Sequence, residues 1–308
     1  MFVAAGAVLV LEILAVRLLA PYVGLTLETT TSIIGAVLLG IAVGAGVGGR
    51  LADRTNPRNL VIGLLIGGGL LALLTTPIVR WIGPSASEGG TLGALEVTFA
   101  ALVPVAAVLS AISPTVAHWQ LRDLRASGSI VGGLSAWATA GALVGTFGTG
   151  FVLVPLLPVS TSVLAVGLLL IGAGIVLGGY THVLRSAAIG LAVLVTAGFG
   201  VLTATAQSPC QAETRYHCVR TEGAPPGAAG RYLILDRGYN SYVDLEDPGN
   251  LGSFRYTRWI AEVVKQIRPG SPLRAVFVGG GGFTLPRWLQ AKRPRSSSNV
   301  LEVDPQLI

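Results

Sequence analysis

The chain has 308 residues, of which 52% are hydrophobic and only 12% charged, with a mean hydropathy of +0.70. A soluble domain carries about 25% charged residues, so this composition excludes an ordinary soluble protein and predicts several membrane spans. The net charge of +6 lies in loops and the tail. Because no basic and aromatic stripe accompanies it, it indicates a preference for the membrane surface and no nucleic-acid partner.

Seven apolar segments reach the length of about 20 residues that a spanning helix needs. The fourth and fifth are long enough to be tilted, or kinked at Pro104 and Pro114. The first has no basic leader and no small-residue cleavage pattern, so it predicts a retained span rather than a signal peptide. The predicted spans are residues 2–23, 30–50, 59–82, 91–117, 129–154, 159–180 and 184–206.

Basic residues fall in alternate loops, which predicts the orientation in the membrane. The loops after the third and fifth spans carry only Arg80 and Glu88. The N-terminus and the arginine-rich loops are therefore predicted to be cytoplasmic, and seven crossings place the tail outside. A re-entrant span would leave six or eight crossings and a cytoplasmic tail, and this alternative stays open. The arginines of the predicted cytoplasmic loops are Arg50, Arg54, Arg58, Arg122, Arg125 and Arg185.

Two patterns inside the spans predict contacts or function. Gly40, Gly44 and Gly48 repeat every four residues and predict a helix-packing stripe. Glu12 and Arg17 are ionisable residues inside the first span, where charge is costly. They have two interpretations: a neutralised pair that fixes the packing of the first helix, or a polar lining for a transported or bound solute.

From residue 207 onward the sequence resembles that of a soluble protein. The pattern predicts a hairpin over 231–236 and 239–245, a helix over 254–267, a strand over 274–278, a helix over 285–291 and a strand over 300–304. The predicted domains are a helical multi-pass bundle (1–206), a small β domain (207–250) and an incomplete nucleotide-binding α/β domain (251–308).

The strand over 274–278, the glycine run after it, the helix over 285–291 and the strand over 300–304 with its acidic end form the pattern of the nucleotide-binding half of a doubly wound sheet. In this interpretation Gly279, Gly280, Gly281 and Gly282 let the backbone approach a nucleoside, and Glu302, followed by Asp304, accepts hydrogen bonds from ribose hydroxyls. The alternative is a flexible glycine turn beside an exposed glutamate.

Three stretches, in order, resemble the polyamine aminopropyltransferases, the spermidine synthase family with an S-adenosylmethionine-methyltransferase fold. They are residues 213–216, residues 233–241, and the glycine run with residues 301–305. The membrane half, with Glu12, Arg17 and the pairs at 20–21 and 49–50, is similar to the multi-pass region of membrane-anchored spermidine synthase-like proteins.

The resemblance implies aminopropyl transfer from decarboxylated S-adenosylmethionine, a co-substrate rather than a permanently bound cofactor, to a diamine such as putrescine. It implies substrate contacts from Tyr216, Asp236, Tyr239 and Ser241. An aspartate would act as general base.

Two departures from the family pattern bear on activity. Gly282 stands where the family has an aspartate that holds the cationic substrate. The strands and the catalytic aspartate that the family carries further along are absent from these 308 residues, so we expect a truncated and inactive enzyme and assign no catalytic residue. The alternative function is a transporter-like membrane protein, with polyamines as candidate solutes and the tail as a binding or regulatory element. The charged cluster at 50–54, which resembles a loop of major-facilitator transporters, is a weak signal for it.

Cys210 and Cys218 are the only cysteines, and they are expected to form a disulfide if the tail lies outside. With His217 between them they do not match a zinc spacing, so no metal is predicted. A nucleotide site favours the cytoplasm instead, where S-adenosylmethionine derivatives are found. The expected location is the cell membrane, the expected partners are the bilayer and a small cationic diamine or polyamine, and a homodimer is left open.

Overall fold

The computed structural model describes residues 1–121, 127–179, 198, 206–224, 229–252 and 254–308. Contacts divide the chain into two units, Met1–Ser208 and Pro209–Ile308. Of the span predicted at 184–206, only residues 198 and 206 are among the described residues. Three of the predicted loop arginines, at 122, 125 and 185, also lie outside them.

The first unit is a bundle of helices, and within the described ranges six spans are long and apolar enough to cross a membrane. The multi-pass architecture predicted from composition is therefore confirmed, while the seventh span stays a prediction. The helices are α1 Phe2–Val23, α2 Leu27–Ala52, α3 Pro57–Ala86, α4 Gly90–Ser110, α5 Ile112–Gln120, α6 Ser127–Gly148, α7 Val154–Leu156 and α8 Val159–Gly178, with a π-helical turn at Thr149–Leu153 between α6 and α7.

The fourth span is broken at Ala111, between α4 and α5. Pro114 has no N–H to donate to the carbonyl of Ser110, four residues earlier, so the hydrogen-bond ladder is interrupted there. Pro104 lies inside α4 without ending it. The interruption of this span therefore lies three residues before Pro114.

The glycine stripe of α2 packs directly on the backbone of α4. A Cβ atom on Gly44 would lie 2.0 Å from the carbonyl oxygen of Ala107, and one on Gly40 would lie 2.6 Å from the Cβ of Ala106. The predicted packing stripe is confirmed. Small residues allow this approach because no side chain separates the two helices.

A second close contact, between α1 and α6, was not predicted. A Cβ on Gly141 would lie 2.1 Å from the carbonyl oxygen of Phe2, and one on Gly145 would lie 2.6 Å from that of Gly6. The glycines come from distant parts of the chain, so no local period in the sequence reveals the pair.

Polar contacts define one end of the bundle. Asp53, after α2, lies 3.4 Å from Nδ1 of His118 at the end of α5. The guanidinium of Arg58, at the start of α3, donates to the carbonyl of Leu177 near the end of α8, at 3.5 Å. This end therefore brings together the ends of the second, fourth and sixth spans and the start of α3.

Arg80 marks the opposite end. It lies in the last turns of α3, and its guanidinium donates to Oγ of Ser160, at the start of α8, at 3.3 Å. It also donates to the carbonyl oxygen of Ala206, at 3.5 Å. Ala206 is buried in the first unit, close to the point where the tail begins.

The second unit begins with a four-stranded antiparallel sheet in the order β1-β2-β3-β4. The hairpin predicted from the sequence corresponds to β3 and β4, whose turn contains Asp236 at a φ of 56°. The two preceding strands were not predicted because they are short and rich in polar residues. The strands are β1 Ala212–Glu213, β2 Cys218–Gly223, β3 Gly230–Leu235 and β4 Gly238–Asp244.

The rest of this unit contains a helix, α9 Arg255–Gln266, and a strand-helix-strand segment formed by β5 Arg274–Val278, α10 Thr284–Lys292 and β6 Ser297–Leu301. Strands β5 and β6 pair in parallel, with Arg274 opposite Ser297. The last strand was predicted too late, at 300–304, because the polar run before it concealed its start. Glu302 consequently follows the strand instead of lying within it.

Candidate functional site

The glycine loop between β5 and α10 has conformations that favour glycine. Gly279 and Gly281 have φ values of 93° and 51°, in the left-handed region that side chains disfavour. Gly282 is constrained by contact instead, because a Cβ there would lie 2.4 Å from Cγ2 of Val243 and 2.7 Å from Oγ of Ser241. Its backbone N–H donates to the same Ser241 hydroxyl at 2.8 Å. The loop is thus held against strand β4.

Glu302 joins the end of β6 to this loop. Its Oε2 accepts a hydrogen bond from the N–H of Gly280 at 2.5 Å, and its Oε1 accepts one from the N–H of Asp304 at 2.9 Å. These bonds, chiefly the one from Asp304, lower the pKa of Glu302 below its ordinary value. The site therefore presents an ionised carboxylate, a pure hydrogen-bond acceptor, beside the glycine loop.

Asp304 is almost fully buried, with 1% of its surface exposed. Its Oδ1 accepts from the N–H of Gln306 at 3.1 Å, so this oxygen caps the turn that follows β6. Among the described residues, its Oδ2 has no hydrogen-bond partner.

A cavity of about 660 Å³ lies beside the loop. Gly279, Gly280, Gly281 and Gly282 form part of its wall, together with all of β5. Most of the remaining lining is apolar and comes from the inner faces of α9 and α10. The polar lining side chains are Asn240, Ser241, Tyr256, Thr257, Arg274 and Thr284.

Of the predicted substrate contacts, only Ser241 lines this cavity. Asp236 lies at the β3–β4 turn, where it accepts from the N–H of Cys218 at 2.9 Å and lies 2.8 Å from Nδ1 of His217. The hydroxyl of Tyr239 donates to Glu222 at 3.1 Å. Tyr216 is exposed on the segment before β2.

Five polar residues of the cavity wall were not predicted from the sequence: Asn240, Tyr256, Thr257, Arg274 and Thr284. Asn240 could have been found, since it adjoins Ser241 in the predicted hairpin. Tyr256 and Thr257 belong to the predicted helix. An amphipathic pattern does not reveal which residues of that helix lie beside the glycine loop at 279–282.

The two cysteines, Cys210 and Cys218, are joined in a disulfide. The bond connects the start of β2 to the segment before β1. Cys218 is also the residue whose N–H binds Asp236, so the disulfide and the β3–β4 turn are anchored at one position.

In the membrane unit, Glu12 lies near the middle of α1, half-buried against apolar side chains that include Val37, Leu102 and Val105. Within the described ranges it forms no ion pair or hydrogen bond, so the predicted neutralising pair with Arg17 is not formed there. Arg17, five residues further along α1, has other interactions.

No protein-family model, curated protein or solved structure matches this chain. In the described part of the chain, no group of three or more His, Cys, Asp or Glu residues could hold a metal ion.

Proposed function

We propose that this chain is a membrane-anchored protein of the spermidine synthase-like type whose tail binds the nucleoside of decarboxylated S-adenosylmethionine. The observation that carries the proposal is the Glu302 carboxylate, which is bonded to the N–H of Gly280 and adjoins a glycine loop beside a large cavity. A parallel strand-loop-helix-strand segment with an acid after the second strand is the arrangement that nucleotide-binding sheets use.

The chemistry of the residues fits such a ligand. An ionised carboxylate accepts hydrogen bonds from the two ribose hydroxyls, and the glycines leave room for the nucleoside close to the backbone. In aminopropyl transfer, the diamine nitrogen attacks the carbon next to the sulfonium, the carbon–sulfur bond breaks, methylthioadenosine leaves and the nitrogen gives its proton to a base. No described residue is assigned as that base, so the proposal concerns binding first and transfer second.

Calorimetric titration of the full chain in nanodiscs with decarboxylated S-adenosylmethionine and with methylthioadenosine tests the site. Glu302→Gln is expected to weaken binding roughly 10- to 100-fold, because a hydrogen bond to a charged group contributes about 1.5–3 kcal/mol. Glu246→Gln, which alters an exposed carboxylate, is the matched control. Equal affinity of the two variants, or no binding to the unaltered chain, would contradict the proposal.

A cytoplasmic tail would suit the nucleoside, but the charge pattern and the disulfide favour the other side, and on these two observations we propose that the tail lies outside the cytoplasm. Arg50, Arg54 and Arg58 cluster at the end of the bundle that holds the Asp53–His118 contact, and basic loops remain cytoplasmic. Ala206 contacts Arg80 at the opposite end, and the disulfide suits an oxidising compartment. Alkaline phosphatase fused after Ile308 should be active in cells, and an inactive fusion accompanied by a fluorescent cytoplasmic reporter fusion would contradict this side.

A second candidate function is transport of a cationic solute, with polyamines as the first to test. Glu12 supports it, because a half-buried carboxylate in mid-span, lacking an ion pair in the described ranges, is a candidate site for a cation. In proteoliposomes, Glu12→Gln should abolish uptake of labelled putrescine. Glu96→Gln, on an exposed position of α4, should not. Unchanged uptake by the Glu12 variant would exclude this role.

A further inference from the structure

Helix α9 has an apolar face that is largely exposed among the described residues. Tyr256, Trp259 and Val263 are spaced three and four residues apart and therefore share one side of the helix. Their exposed fractions are 45%, 67% and 63%. The residues that α9 buries within its own unit, Thr257 and Ala261, lie on a different side. Tyr256, Trp259 and Val263 together form the apolar face of α9.

Basic side chains border this face. Arg255, Arg258 and Lys265 are exposed on the same helix. The one acidic residue of α9, Glu262, lies 2.6 Å from the Nζ of Lys265. Residues 251–308 contain nine Lys and Arg against three Asp and Glu, so this half of the tail is strongly positive. Its charge is complementary to an anionic surface.

The combination is typical of a helix that lies in the membrane interface. Such helices place Trp and aliphatic residues on one side and Lys and Arg on the other. Trp and Tyr also concentrate at the headgroup level of bilayers. A buried protein interface would instead be depleted in Lys. The tail belongs to a chain with six spans of membrane length, so a bilayer is always within reach.

We propose that α9 is an interfacial helix that docks on a bilayer containing anionic lipid. The apolar face enters the boundary between headgroups and acyl chains, and the bordering basic side chains bind lipid phosphates. Trp259 and Val263 do not line the cavity, whereas Tyr256 does, so labels at Val263 and Trp259 report the docking separately from the nucleoside proposal. This docking holds the tail at the membrane surface by contacts separate from the chain connection.

Spin labelling of the intact chain tests this docking. Val263→Cys carries a nitroxide on the apolar face, and Lys265→Cys, at an exposed position on the opposite side of the same helix, is the control. Because Cys210 and Cys218 are bonded to each other, only the new thiol reacts. In vesicles of phosphatidylcholine with phosphatidylglycerol, the label at 263 should become accessible to oxygen and shielded from a water-soluble nickel chelate, and the label at 265 should stay exposed to the chelate.

Removing positive charge from α9 should weaken its docking on the bilayer. Arg255→Gln with Arg258→Gln should lower the ratio of docked to free tail by about 25-fold, since each basic residue near an anionic surface contributes about fivefold. Vesicles of phosphatidylcholine alone, which carry no anionic lipid, should also lower the ratio of docked to free tail. A label at 263 that is equally accessible to the chelate in both lipids would overturn the proposal. Dipolar broadening between labels would also overturn it, because a second copy would then cover the face. Trp259→Cys supplies a second labelled position if the first variant misfolds.

Discussion

Replacing Gly44 with alanine should separate α2 from α4. The added Cβ would lie 2.0 Å from the carbonyl oxygen of Ala107 and 2.8 Å from its Cα, whereas ordinary contact begins at 3.4 Å. Neither atom belongs to a side chain that could rotate away. The two helices must therefore move apart by about 1.4 Å at this level, the difference between the first distance and ordinary contact.

The cost should be near the upper end of the range for overpacking, about 3 kcal/mol, because backbone resists displacement more than side chains do. Gly46 provides a matched control on the same helix, since a Cβ there meets nothing within 4 Å. Alanine is a better helix former than glycine by about 1 kcal/mol. The control should therefore be neutral or slightly stabilising, and the two variants should differ by about 3–4 kcal/mol.

Unfolding of the purified chain in mixed micelles, followed by circular dichroism as the mole fraction of dodecyl sulfate rises, measures this difference. Gly44→Ala should unfold at a clearly lower mole fraction than the unaltered chain, and Gly46→Ala at the same or a higher one. Equal midpoints for the two variants would refute the close approach of α2 and α4.

The guanidinium of Arg293 donates to carbonyls at the end of α9, including those of Val264 at 2.8 Å and Ile267 at 2.7 Å. Arg293→Ala should therefore lower the free energy of unfolding of the tail by about 3 kcal/mol. Arg293→Lys should recover only part of this stability in a denaturant titration, because one ammonium cannot reach all the carbonyls. Asp244 has its pKa lowered, chiefly by the N–H of Asp247, so its carboxylate stabilises the tail above the ordinary aspartate pKa of about 4 and this contribution disappears as the pH falls through the lowered value. Asp244→Asn should be less stable at neutral pH and should lose that acid dependence, which thermal melts across pH would reveal. Gly282→Asp should destabilise the tail through its contact with Val243, and Val243→Ala should restore part of the loss in the same melts.

The membrane half shows which features a sequence can predict. The spans follow from composition and length, and the stripe at Gly40, Gly44 and Gly48 follows from a period of four. Its partner helix does not, because the residues facing it are ordinary alanines. The same limit hides the contact of Gly6 with Gly141, where two unremarkable glycines meet only after the chain has folded.

In the tail, the predicted nucleoside contacts belong to one short segment of the chain and are also close in space. The glycine loop and Glu302 are linked by a single strand-helix-strand segment, so a local pattern fixes their proximity. Residues from the preceding sheet depend on how that sheet packs against the segment, which no local pattern encodes. Ser241 reaches the loop through the N–H of Gly282, while Asp236 turns toward His217 and Cys218.

The contact between Ser241 and Gly282 also gives a physical meaning to a departure from the family pattern. The family's aspartate at this position would project a side chain into the space that Val243 and the Ser241 hydroxyl occupy. Glycine lets the loop approach β4 and donate a backbone hydrogen bond to the Ser241 hydroxyl. The proposed nucleoside contact at Glu302 does not involve Gly282. For this reason we place the proposed nucleoside affinity ahead of the proposed aminopropyl transfer as the property to measure.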